Sequence, residues 1–79
     1  MKLTYDPRYN VAYLKLSEKT LEVETIKVSD QMNVDIVPDG TIFGIELLNA
    51  NDQLLGADGG VLEVINEALG DRREISLSR

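Results

Sequence analysis

Two carboxylates and a phenol are the side chains of this sequence best spaced to do chemistry. Asp35 and Glu46 share one parity of two alternating apolar segments joined by a short turn, and Tyr13 falls on the same parity of an earlier segment. A facing carboxylate pair works as acid and base, or shares a divalent cation, when its members are held close together. The simpler reading keeps both carboxylates half-solvated and paired with Lys15 or Lys27 across a sheet, with Tyr13 packing its ring and leaving its hydroxyl wet. Asp35, Glu46 and Tyr13 are therefore a candidate surface site, and no catalytic residue is assigned.

The remaining chemistry is thin. The chain has no His and no Cys, so a Ser-His-Asp relay, a Cys-His pair, a disulfide and the usual zinc sites are all beyond it. Residues 49–60 read as a loop rich in oxygen ligands, but they lack the Asp, Gly and terminal Glu spacing of a calcium loop. Gly56, Gly59 and Gly60 precede an apolar segment in the manner of a phosphate loop, yet no Lys-Ser or Lys-Thr follows. No cofactor and no metal is expected, and the chain is not expected to be an enzyme.

The elements that position these residues follow from the period of two. At 79 residues there is room for one domain, residues 1–79, with a modest core. Strands are expected over residues 2–5, 11–16, about 21–28, 32–37 and 41–48, giving an antiparallel β-meander within residues 2–50. The last two are joined by Pro38, Asp39 and Gly40. Proline presets φ, the Asp side chain bonds the backbone beyond it, and Gly40 takes the left-handed conformation that closes a tight hairpin. In the third strand the apolar phase slips from Leu21 and Val23 to Ile26 and Val28, which predicts a bulge near Glu24 and Thr25. Val61, Leu62, Val64, Ile65, Ala68 and Leu69 fit helical spacing, predicting one helix over residues 61–69 capped by Gly70. The tail, residues 70–79, alternates weakly and suits an edge strand. The class is α+β.

One parity of the sheet collects Ala12, Leu14, Ile26, Met32, Val34, Ile45 and Leu47 as a core face. The other holds Tyr13, Asp35 and Glu46 together with Val37, Ile42 and Leu48, more apolar groups than a solvated face needs, and Gly44 there either marks a bulge or leaves room for a close neighbour such as Tyr13. A nine-residue helix, about 14 Å long, is too short to cover five strands. The mixed face, with Val37, Ile42 and Leu48 as candidate interface residues, or the exposed remainder of the core face is therefore the expected subunit interface, and a homodimer is the expected partner state.

Charge is uneven. The net charge is −6, and between residues 28 and 71 there are nine acidic side chains and no basic one. Such a surface repels phosphate backbones, so direct nucleic-acid binding is disfavoured, while a basic protein partner would be attracted. No apolar run approaches the roughly 20 residues needed to span a bilayer, and the first residues lack the apolar stretch of a signal peptide. A cytoplasmic protein with no membrane contact is expected.

Tyr5-Asp6-Pro7, the strand Ala12-Tyr13-Leu14-Lys15-Leu16-Ser17, and Asn33-Val34-Asp35 followed by Asp39-Gly40-Thr41-Ile42-Phe43-Gly44-Ile45-Glu46-Leu47-Leu48-Asn49-Ala50 carry a family likeness. Over roughly residues 2–50 the chain resembles the small prokaryotic family known as domain of unknown function 2283. The resemblance implies a small single domain with no assigned activity, some of whose relatives accompany toxin-like proteins, and it supplies no catalytic residues. The expected role is a non-enzymatic protein-binding or accessory module, antitoxin-like in character. The alternative is a small-ligand or divalent-metal-binding protein using the sheet carboxylates.

Overall fold

Short alternating segments, each closed by an Asx or glycine turn, build a five-stranded antiparallel sheet. The computed structural model describes residues 1–18, 22–56 and 59–78. Its strands are β1 (Lys2–Asp6), β2 (Val11–Lys15), β3 (Glu24–Ser29), β4 (Met32–Ile36) and β5 (Ile42–Leu48). The helix α1 (Ala50–Leu55) follows, and then β6 (Val61–Asn66) and β7 (Asp71–Ser76) form a separate two-stranded sheet. The α+β class and the five antiparallel strands agree with the sequence reading. The expected start of the third strand at Leu21 lies outside the described residues.

The strand order is β1-β2-β5-β4-β3, which departs from a simple meander. The hairpin β1–β2 and the meander β3–β4–β5 are joined through β2 and β5, leaving β1 and β3 as edges. Register places Leu3, Leu14, Ile45, Val34 and Ile26 in one aliphatic row that crosses all five strands. The opposite face carries the row Thr4, Tyr13, Glu46, Asn33 and Lys27. Cross-strand rows of this kind are the unit of sheet stabilisation.

The bulges fall elsewhere than near Glu24 and Thr25. In β3 the register slips between Lys27 and Ser29, and in β5 Phe43 is the extra residue between the pairs Asp35–Gly44 and Ile36–Ile42. The Phe43 carbonyl accepts both the Leu16 and the Ser17 amide, at 2.9 and 3.3 Å, as a bulged carbonyl freed from the regular ladder does. Because Ile42 pairs with Ile36, it moves from the mixed face to the apolar one. Parity alone misses this, since Ile42 and Phe43 are both apolar.

The helix also sits elsewhere. Residues 61–69 form β6 and a turn instead of the expected helix, and the tail pairs with β6 instead of edging the larger sheet. Val61, Val64 and Ile65 are β-branched and stiff at χ1, and nine residues are too few to hold a helix that lacks a packed face. The turn that replaces it copies that of β1–β2. Asn66 Oδ1 accepts the Ala68 and Leu69 amides and Gly70 takes φ +72°, just as Asp6 Oδ1 accepts the Arg8 amide and Asn10 takes φ +58°.

The real helix occupies the segment read as an oxygen-rich loop, and its polar side chains are consumed in fixing it. Asn10 Oδ1 accepts the Asn51 amide at 2.7 Å and the Asn10 carbonyl accepts that of Ala50 at 3.1 Å. Tyr5 donates its hydroxyl to Asn51 Oδ1 at 2.6 Å, and Asn51 Nδ2 donates to the Pro7 carbonyl at 3.2 Å. At the other side Gln53 Nε2 donates to the Gln31 and Leu48 carbonyls. Ala12 and Ala50, 2% and 0% exposed, are the small buried side chains where α1 meets β2. Among the described residues no large side chain is fully buried, and no helix is long and apolar enough to cross a membrane.

Candidate functional site

The polar sheet face gathers all three candidate residues. Tyr13, from β2, donates its hydroxyl to Asp35 Oδ2 of β4 at 2.6 Å, reaching across the intervening strand β5. That reach is possible because Gly44 lies beneath the ring: a β-carbon there would sit 2.6 Å from Tyr13 Cζ. The close approach expected of Gly44 is thus borne out. Thr25, on the edge strand, donates to the second Asp35 oxygen at 2.6 Å, and Asn33 Nδ2 donates to Glu46 Oε1 at 2.8 Å.

Asp35 and Glu46 are not a facing pair. Asp35 opposes Gly44 and Glu46 opposes Asn33, so the two residues are diagonal neighbours, whose backbone positions lie about 7–8 Å apart in a sheet. Neither makes an ion pair among the described residues: Lys27 goes to Asp30 at 3.1 Å, and Lys15 lies 5.9 Å from the centre of the Phe43 ring. Neutral donors take the place of the lysines expected there. Among the described residues no group of three or more His, Cys, Asp or Glu side chains is arranged to hold a metal ion.

The electrostatics follow from this arrangement. Desolvation first, then the hydrogen bond to Asp35 and the negative charges of Asp35 and Glu46, push the Tyr13 phenol up to about 12. At neutral pH it is a fixed donor, far from the poise a general base or nucleophile needs. Tyr13, Asp35 and Thr25 therefore clamp β2, β4 and β3 through one shared carboxylate.

The candidate interface residues are not brought together. Val37 is 6% exposed and already spent in the interior, while Ile42, 42% exposed, and the half-buried Leu48 stand at opposite ends of β5, about 20 Å apart along the strand. Their separation undoes a single patch made of these three. The turn residues behave as expected. Val37 accepts the Gly40 amide, Asp39 Oδ1 accepts the Thr41 amide at 2.8 Å, and Gly40 has φ +92°. The bonds from Thr41 hold the Asp39 carboxyl below its ordinary value. A depression of about 510 Å³ opens beside this turn, lined by Glu22, Val23, Glu24, Ile36 and Val37. Glu24 and Ile36 pair one step along from Thr25 and Asp35, so the depression begins beside the Tyr13 cluster.

Of the two surfaces left most open, sequence reasoning anticipated the uncovered part of the core face and missed the hairpin. The twelve strand residues of the β6–β7 hairpin are all exposed, and the aliphatic row of the larger sheet is only half covered, with Ile26 exposed. Alternation at Ile75 and Leu77, with Asn66 and Gly70 spaced like Asp6 and Asn10, was the signal available for the hairpin. Set against known proteins, a family model described as "protein of unknown function (DUF2283)" matches residues 2–51. Its match ends inside α1 and leaves β6 and β7 outside. Searches of curated proteins and of solved structures return no match.

Proposed function

We propose a function on this premise: the chain belongs to the DUF2283 family of proteins of unknown function. It is a cytoplasmic, non-enzymatic protein-binding module that self-associates as a homodimer. One observation carries the reading. A globular monomer of 8.8 kDa exposes about 4,800 Å², whereas this chain exposes 6027 Å². The surplus of about 1,200 Å² exceeds the ~800 Å² that each partner contributes to an ordinary specific interface. Its radius of gyration, 14.1 Å, is likewise above the ~11.6 Å expected of a compact chain of this length. Light scattering on the purified chain tests this: a dimer mass at micromolar concentration supports it, and a monomer mass throughout refutes it.

A second reading rests on Asp35 and Glu46, which lie on the polar face and, among the described residues, accept hydrogen bonds from neutral donors instead of forming ion pairs. That face would attract a basic protein, as an antitoxin-like neutraliser does. Association would then slow steeply between low and physiological salt, because exposed charges are screened beyond about 8 Å at 0.15 M. Asp35→Asn with Glu46→Gln would slow it further at low salt. Binding that ignores both changes would assign the carboxylates to the sheet alone.

A further inference from the structure

The β6–β7 hairpin is a small sheet whose strand residues are all exposed, and the apolar face of the larger sheet is only half covered. On one hairpin face register places Leu62 opposite Ile75 and Val64 opposite Arg73. On the other, Arg72 is held by Glu63 and Glu74, a polar arrangement suited to water. Val61 and Ile65 share that second face, so neither face is purely polar, but the first holds three apolar side chains in the open: Leu62, Val64 and Ile75 are 40–50% exposed. An isolated two-stranded hairpin is marginal in water and needs a hydrophobic surface to lie on. The aliphatic row of Leu3, Leu14, Ile45, Val34 and Ile26 offers such a surface, and α1, six residues long, covers little of it.

We propose that in the homodimer each copy lays the Leu62, Val64 and Ile75 face of its hairpin on the aliphatic row of the other copy's five-stranded sheet. This names the contact within the self-association proposed above and rests on that reading. A second copy is the occupant because both complementary surfaces belong to this one chain, and a two-fold axis satisfies both at once. The surplus surface matches the requirement, since two equivalent contacts share about 1,200 Å² per copy. The approach to the hairpin suits an exchanged element: Gly59 and Gly60, just before β6, have φ +75° and +89°, a tight turn of the backbone at the hairpin's start.

The absence of cysteine makes the test clean. One batch carries Val64→Cys and an isotope-labelled batch carries Val34→Cys; the two are mixed and treated with a short bis-maleimide. The proposal expects a cross-linked species containing one chain of each kind, lost when either is replaced by the unmodified chain. It also expects Leu62→Asp to shift light scattering from dimer to monomer while circular dichroism keeps the strand signal. A dimer that persists in Leu62→Asp and yields no mixed cross-link overturns this contact and leaves self-association standing. A chain that is monomeric throughout overturns both.

Discussion

At the scale of single residues, Tyr13 and Gly44 are one device. The phenol reaches Asp35 only because position 44 has no side chain, so Gly44→Ala should force the ring out and cost about 1–3 kcal/mol, as overpacking does. Urea midpoints check this, and a neutral substitution would contradict it. The proton on Tyr13 gives a second test. Its folded value is raised to about 12 from the ordinary 10, so the folded state holds the proton more tightly than the unfolded chain does. The stability this contributes is intact below pH 10 and is lost as pH rises toward 12. In a Tyr5→Phe, Tyr9→Phe background, absorbance titration should show the remaining phenol ionising late, and Asp35→Asn should bring it partway down, since desolvation remains. An ordinary value near 10 would remove the clamp. The Gly44 and Gly40 roles were legible because glycine inside a strand or after Pro-Asp has few other uses. The Tyr13–Asp35 bond was not, because it spans β5 and needs the strand order.

Among the elements, α1 shows how tertiary bonds override local signals. Six residues are too few to be helical alone, and nothing local in Ala50-Asn51-Asp52-Gln53 announces a helix. The partners at Tyr5, Pro7, Asn10 and Gln31 lie far away in sequence. Asn51→Ala removes the Tyr5 and Pro7 bonds together and should cost about 1–3 kcal/mol, by leaving polar groups unpaired. Hydrogen exchange should then quicken at the amides of Ala50 and Gln53, and unchanged protection would show that the helix stands without this lock. The hairpin was misread for a different reason. With apolar residues at Val61 and Ile65 on one face and Leu62 and Val64 on the other, alternation is blurred and the same residues fit a helical period. The edges of the larger sheet are guarded, β1 by Lys2 and β3 by Lys27 and a bulge. Those of β6 and β7 carry no proline and no bulge but are guarded by charge, at Glu63, Arg72, Arg73 and Glu74.

For the whole molecule, the deciding property is the mismatch between surface and mass, which composition does not reveal because 43% hydrophobic residues suit a compact monomer equally well. Two readings of the surface differ in the sign of one response. Copies of net charge −6 repel each other, so a dimer held by apolar faces should tighten as salt screens that repulsion, whereas docking of a basic protein on Asp35 and Glu46 should weaken. Sedimentation equilibrium of the chain alone at low and high salt measures this directly. The account predicts a dimer of twice 8.8 kDa whose dissociation constant falls as salt is raised, and a monomer at every concentration and salt would contradict it.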